Sequence, residues 1–269
     1  MDPGFRRDDG LLMVARMDAR RGPFDDFAIA TAVLTRLPVG AAAPVDGTIA
    51  PAGWAFPLVG AGIGALAALA FLLAELLGLG PAPAALLALA ASLAVTGAFH
   101  EDGLADTADG LIGGRDREQK LAIMRDSRHG TYGVLAIVLS IGLRAAALGS
   151  IGGPIYAGLA LLAAHAFSRS ALPAAMHLLE PARADGLGAM AGRPSQGVAI
   201  VALAVGVLIA LATLGPATGL VAMILASGAV ALAALLARRQ IGGYTGDVLG
   251  AIEQVFEIAF LLGVAAIIR

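Results

Sequence analysis

The chain of 269 residues contains no cysteine and little charge, with 14% Asp, Glu, Lys and Arg where a soluble domain carries about 25%. Without cysteine there are no disulfides, no thiolate-held iron–sulfur clusters and no thiolate nucleophile, so metal or acid–base chemistry must use oxygen and nitrogen groups. Aromatic residues make up only 5%, and large rings are therefore not the main packing element. A formal net charge of −2 gives no electrostatic basis for nucleic-acid binding. The N-terminal residues lack an apolar run followed by a small-residue cleavage site, so they do not read as a signal peptide. Residues 1–23 are expected to form a disordered extension. Its arginines, Arg6, Arg7, Arg16, Arg20 and Arg21, either touch anionic lipid or simply solvate the tail. Residues 24–269 are expected to form one domain.

What is abundant is apolar: 58% of residues are hydrophobic, the mean hydropathy is +0.84, and there are 36 glycines. Small residues let helix backbones approach closely in lipid, where no hydrophobic force drives helices together. A spanning helix needs about 20 apolar residues, and the stretches 54–79, 82–99, 134–151, 155–179, 197–214, 217–237 and 248–268 qualify or nearly do. The expectation is an all-α, polytopic integral membrane helix bundle of about seven spans. The run from Phe27 to Val39 is too short and ends in Pro38, so it is expected to be an interfacial or re-entrant helix. Gly60 and Gly64 share a helix face in the first span, as a packing surface would require. Trp54 at the start of that span reads as an interface anchor.

The connections 80–81, 152–154 and 215–216 carry no charge, whereas the alternate ones hold Arg115, Arg117, Lys120, Arg125 and Arg128, then Arg183 and Arg193, then Arg238 and Arg239. Lys and Arg mark cytoplasmic loops, so the N-terminus and the long loops are expected in the cytoplasm and Arg269 outside.

Residues 97–114 read Gly-Ala-Phe-His-Glu-Asp-Gly-Leu-Ala-Asp-Thr-Ala-Asp-Gly-Leu-Ile-Gly-Gly. On a helix, Asp106 and Asp109 lie about 40° and about −20° from Asp102, one narrow stripe of three carboxylates. Like charges at that spacing repel, and no lysine is interspersed to offset them. A hard divalent cation resolves the conflict, and carboxylate oxygens suit Mg²⁺ or Mn²⁺. Asp102, Asp106 and Asp109 are thus the expected metal ligands. Glu101 points about 100° away and is either on another wall of the site or behind it. His100 orients a carboxylate, contacts phosphate or is structural.

Arg125-Asp126-Ser127-Arg128-His129-Gly130 follows, and arginines with free backbone N–H groups suit a pyrophosphate. Thr245 and Asp247 open the last helix, where Asp247 is an N-cap or part of an anion site. Arg169, Glu253 and Glu257 lie within spans, and an ionisable group there is a functional candidate by default. They are expected to line one polar cavity open to the cytoplasm or to form a structural ion pair, with His165, Ser168 and Ser170 nearby. Glu75 and Arg144, matched in depth near the opposite face, are expected to pair or to snorkel. Carboxylates beside an anion-binding segment describe phosphoryl-group or nucleotidyl transfer.

The segments Leu34-Thr35-Arg36-Leu37-Pro38-Val39, Phe56-Pro57-Leu58-Val59-Gly60, His100 to Gly110, Arg125 to Gly133 and Thr245 to Ala251 resemble, in the same order, the cobalamin synthase family of adenosylcobinamide-GDP ribazoletransferases. The resemblance runs from about residue 24 to the end, and its acidic and Asp-Ser-Arg blocks together are highly specific. It implies a Mg²⁺-dependent transferase of the inner membrane, its site facing the cytoplasm, that joins adenosylcobinamide-GDP to α-ribazole or its 5′-phosphate and releases GMP. It is compatible with a homo-oligomer or with association with other late corrinoid-pathway enzymes. Direct attack by the acceptor hydroxyl needs a base, for which Glu101 comes first, then His100 and Asp126. Two other readings compete. A CDP-alcohol phosphatidyltransferase would show Asp-Gly-x-x-Ala-Arg, whereas Asp102-Gly103 is followed by Leu104-Ala105-Asp106-Thr107. A transporter would show broken helices in two matching halves.

The loop assignment predicts that cysteines introduced at Ser127 and Ser195 escape a membrane-impermeant thiol reagent in intact spheroplasts and react once the membrane is opened. Labelling of both in intact cells is the opposite topology.

Overall fold

In the computed structural model, residues 22–40 and 48–268 are described. The expected disorder of residues 1–23 falls almost wholly outside them, as does the placement of Arg269. Ten α-helices and one 3₁₀ turn make up the described chain, which holds a single isolated bridge and no β-sheet among those residues. Helix α1 is Pro23–Leu34, and the 3₁₀ turn Ala50–Ala55 leads into α2, Phe56–Leu76. Then come α3 (Pro81–Thr96), α4 (Phe99–Gly113), α5 (Arg117–Ile123), α6 (Thr131–Ser150), α7 (Pro154–Leu178), the one-turn α8 (Leu187–Met190), α9 (Gln196–Ile241) and α10 (Gly246–Ile267). Prolines open α1, α2, α3 and α7, where a missing N–H costs nothing.

Among the described residues, five helical segments are long and apolar enough to cross a bilayer, and the bent pair α3 and α4 makes a sixth if counted together. Helix α9 is itself broken at Gly215, whose φ of 72° is open to glycine, and Pro216 starts the next segment. A Cβ on Gly219 would lie 3.3 Å from the carbonyl oxygen of Ala210. Residues nine apart in a straight helix would be about 14 Å apart, so the chain reverses there. Both ends of α9 return to one rim, where Tyr244 N–H donates to Glu180 and Ala182 N–H donates to Tyr244. The connection expected at 215–216 is therefore a hairpin between two segments.

Helices α7 and α10 form the centre, with 78% and 72% of their most apolar windows buried against 28% for α6 and α9. The outer helices turn Leu135, Val138, Leu139, Leu208 and Ile224 outward, a lipid-facing pattern. Helix α2 packs on α7 through Gly60 and Gly64. A Cβ on Gly60 would overlap the His165 carbonyl, and one on Gly64 would sit 2.7 Å from that of Leu161. Gly62 has open space.

Three expectations change. The second span does not run on to Phe99: Gly97 (φ 69°) and Ala98 (φ 58°) both take left-handed backbone, and α4 leaves α3 at 92°. That backbone is costly for alanine, and it turns the first residues of α4 into the bundle. Arg144 consequently does not pair with Glu75. It binds Glu101 at 3.0 Å and Glu257 at 3.1 Å, while one carboxylate oxygen of Glu75 is buried without a hydrogen-bond partner. Counting depth along straight helices misplaced it, because a bent helix delivers Glu101 to Arg144. The N-terminal helix covers residues 23–34 rather than 27–39; it buries Ile29, Ala30 and Leu34 and leaves Phe24 exposed. Trp54 is tied to it by a 2.7 Å hydrogen bond from its indole N–H to Asp26.

Gly60→Ala should lower thermal stability in detergent by roughly 1–3 kcal/mol, the cost of overpacking, whereas Gly62→Ala should leave it unchanged. Equal effects in a melting measurement would mean that α2 does not pack on α7 through this face.

Candidate active site

Helix α4 carries the acidic stripe, and its two sides meet different surroundings. Gly103 and Gly250 make the contact between α4 and α10: a Cβ on Gly103 would lie 2.8 Å from the Asp247 carbonyl, and one on Gly250 would lie 3.1 Å from that of His100. This approach sets the first turn of α10 beside the stripe. Thr245 caps α10 by accepting from Val248 N–H, and its hydroxyl donates to Asp247, which also faces Arg183 at 3.7 Å. Asp247 thus serves the helix end and adds a carboxylate to the acidic surface.

On the solvent side, Asp102 and Asp106 meet His129, whose ring nitrogens lie 3.6 and 3.5 Å from their carboxylates. The three could offer one ligand atom each to a cation, with those atoms all within 4.8 Å of one another. Burial is the main reason that the Asp106 carboxyl is pushed up to about 6; the charges of Asp102 and Asp247 add to the rise and His129 opposes it. Two carboxylates in such a position fit a divalent cation, while the imidazole is a poorer partner for Mg²⁺ than for softer metals.

Asp109 is on the same stripe but its carboxylate is engaged. It accepts from Gly130 N–H at 2.6 Å and Gly133 N–H at 2.9 Å, which caps α6 from a neighbouring helix. The glycines at 130 and 133 are required by this contact, since a Cβ on Gly130 would lie 2.6 Å from that carboxylate and one on Gly133 would overlap it. Of the three carboxylates expected as ligands, Asp102 and Asp106 meet His129 at the surface, while Asp109 is turned to the loop that brings His129.

The arginines of that loop are exposed and paired in this structure. Arg125 forms a two-pronged bond to Asp185, and Arg128 binds Asp126, whose carboxyl it holds down to about 2. Ser127 is exposed between them.

Glu101 points inward from α4 and is buried, so it does not join the surface cluster. Arg144 and the side-chain amide of Gln254 both donate to it, each at 3.0 Å. From there a chain of buried groups runs through the bundle. Arg144 also binds Glu257, Glu257 meets His165 at 3.1 Å, and Arg169 binds Glu253 at 2.6 Å, to which Ser168 donates. His100 lies 3.4 Å from both Glu253 and Arg169. Arg169, Glu253 and Glu257 are at most 1% exposed. They form an interior network and not the cytoplasm-facing cavity expected of them, because their partners come from four helices and fill the space between. Ser170 donates to the Phe167 carbonyl and takes no part.

Sequence reasoning missed His129 as a partner of the stripe, although it adjoins Arg128, and missed Arg144 and Gln254 as partners of Glu101. A cavity of about 380 Å³ also adjoins the site, lined by His100, Phe99, Gly246 and Gly250 together with apolar residues.

The chain matches the cobalamin-5-phosphate synthase family over residues 26–265. It is 52% identical to an adenosylcobinamide-GDP ribazoletransferase of Bradyrhizobium diazoefficiens over 94% of this chain and 98% of that one. Proteins of the same name from Mesorhizobium japonicum and Rhizobium johnstonii are 47% and 46% identical, over 88% and 89% of this chain and 92% and 96% of theirs. No solved structure matches the chain.

The raised Asp106 carboxyl has a stability signature. Its ionisation is harder in the folded state, so its contribution to stability is present below about pH 4 and is lost as pH rises to about 6. With divalent cations chelated, Asp106→Asn should therefore gain on the unmodified protein in melting temperature across that window and hold a constant lead above it. A lead that is the same at all pH values would contradict the charge clustering.

Proposed function

The chain belongs to the cobalamin-5-phosphate synthase family, and we propose how its residues carry out that family's condensation. It is a membrane transferase of cobalamin biosynthesis that joins adenosylcobinamide-GDP to ribazole. The family match replaces the readings as a CDP-alcohol phosphatidyltransferase or a transporter. In the proposed step, the hydroxyl of α-ribazole, or of its 5′-phosphate, attacks the corrinoid-side phosphorus and GMP leaves.

The observation that carries the site assignment is the cluster of Asp102, Asp106 and His129 at the rim, beside Asp247. Asp102 and Asp106 would hold Mg²⁺ or Mn²⁺, whose charge when bound neutralises pyrophosphate oxygens and the leaving group. Asp109, by clamping Gly130 and Gly133, keeps the Arg125–His129 loop over the stripe. Arg125 and Arg128 exchange their surface carboxylate partners for non-bridging phosphate oxygens, to which a planar guanidinium donates two bonds at once. His129 accepts the acceptor proton. Glu101 is unsuited to that task because Arg144 and Gln254 occupy it within the bundle; its part, with Arg169, Glu253 and Glu257, is to fix α4 and α10. The loops rich in arginine join at the rim that carries the site, through Arg125 to Asp185 and Arg117 to the Ile241 and Ala182 carbonyls. That is the pattern of a site facing the cytoplasm in an inner membrane.

The assay uses purified enzyme with adenosylcobinamide-GDP, α-ribazole and Mg²⁺, following corrinoid product and GMP. Asp102→Asn and Asp106→Asn should each lower kcat by roughly 100-fold or more and raise the Mg²⁺ needed for half activity. Asp109→Asn should lower kcat without moving that Mg²⁺ requirement. An Asp106→Asn enzyme with unaltered rates across the titration removes the metal assignment.

A further inference from the structure

The cavity beside the acidic cluster has walls that the surface chemistry described so far does not use. It encloses about 380 Å³ between α1, the start of α2, α4, α7, α8 and α10. That is near the lower end of ligand-site volumes, about 300–1,000 Å³. Its lining includes Phe56, Phe99, Leu172, Met176 and Leu249, and His100 is its one titratable residue among the described residues. Its position is set by the same close approaches that build the site. Gly188 of α8 packs so tightly on α10 that a Cβ there would lie 2.8 Å from Gly246 N, and Gly246, which lines the cavity, precedes Asp247 of the acidic cluster. Gly250, also in the lining, is the residue that packs on His100 and Gly103.

We propose that this cavity binds the dimethylbenzimidazole base of the ribazole acceptor, so that its ribose emerges at Asp102 and Asp106; the inference rests on the condensation reaction assigned above. The other substrate parts do not suit the cavity. A corrin macrocycle is several times too large for it. Guanine carries donors and acceptors around its whole edge, and burying them against apolar walls would leave most unpaired, at about 1–3 kcal/mol each. Dimethylbenzimidazole is a planar, mostly apolar bicycle with two methyl groups, and in the riboside it keeps one ring nitrogen with a free lone pair. Phe56 and Phe99 offer aromatic surface to its plane and methyl groups. His100 supplies one polar partner. Its Nδ1 lies 3.4 Å from both Arg169 and Glu253, and in the tautomer in which Arg169 donates to Nδ1 the imidazole carries its hydrogen on Nε2 and can donate to that ring nitrogen. One polar wall group thus matches one polar atom of the base.

The test uses a thiol in a chain that has none. Leu249→Cys puts it on the half-buried cavity wall of full-length protein in detergent. Saturating 5,6-dimethylbenzimidazole should slow its modification by a maleimide about tenfold or more, equivalent to about 1.4 kcal/mol, and GMP should not. An unchanged rate with the base, or protection by dodecanoic acid alone, overturns the proposal; the second outcome would make the cavity a lipid site. Protection requires no turnover. An active enzyme whose thiol is unprotected rejects the cavity assignment alone, and a protected thiol in an enzyme that makes no corrinoid product rejects the reaction alone. In kinetics, Ala191→Phe, which fills the cavity from the loop after α8, should raise the KM for α-ribazole about tenfold or more and leave that for adenosylcobinamide-GDP unchanged. An unchanged acceptor KM in a folded Ala191→Phe enzyme likewise overturns the proposal.

Discussion

Charge buried in a lipid-embedded bundle must be paired, and the pairing of Glu101, Arg144, Glu257, Arg169 and Glu253 is the constraint on which the rest of this structure depends. An unpaired ion there is costly, and removing one partner of a buried pair costs about 3–5 kcal/mol because the other is left behind. The network joins α4, α6, α7 and α10. Its effect is geometric. Glu101 is fixed inside, so its neighbour Asp102 is fixed outside, and the register of the acidic stripe relative to the membrane follows.

The bend at Gly97 and Ala98 makes this possible. A straight continuation of α3 would carry Glu101 past the bundle, whereas a 92° turn lays α4 across the ends of α6 and α10. Glycines then let the backbones close: Gly103 and Gly250 between α4 and α10, Gly130 and Gly133 against Asp109. Each contact delivers one functional group. The first brings Asp247 to the stripe, and the second brings His129.

The result is a division of the interior by polarity. Carboxylates, imidazole and arginines lie at the rim, where water and phosphate oxygens can satisfy them. The paired network lies beneath in the bundle, and an apolar cavity lies beside both. His100 belongs to the last two, touching Arg169 and Glu253 while lining the cavity. Such an arrangement suits a reaction in which a hydroxyl carried by the riboside of an apolar heterocycle attacks one phosphorus of a charged pyrophosphate.

Composition and hydrophobic runs determined the membrane bundle by themselves, because about 20 consecutive apolar residues carry that information locally. The break at Gly215-Pro216, the helix over the acidic block and the stripe of Asp102, Asp106 and Asp109 were legible for the same reason: each depends on residues within a few turns of one another. The ordered motifs made the family legible as well. Only the tertiary structure decided what each charge does. Asp109 caps a helix that begins 22 residues later, Glu101 turns to Arg144 inside the bundle, and Arg144 leaves Glu75 for two glutamates on other helices. Helical periodicity states which face a side chain occupies but not which helix that face meets. Those meetings were set by a left-handed turn at an alanine and by glycine contacts between distant segments, which no local pattern specifies.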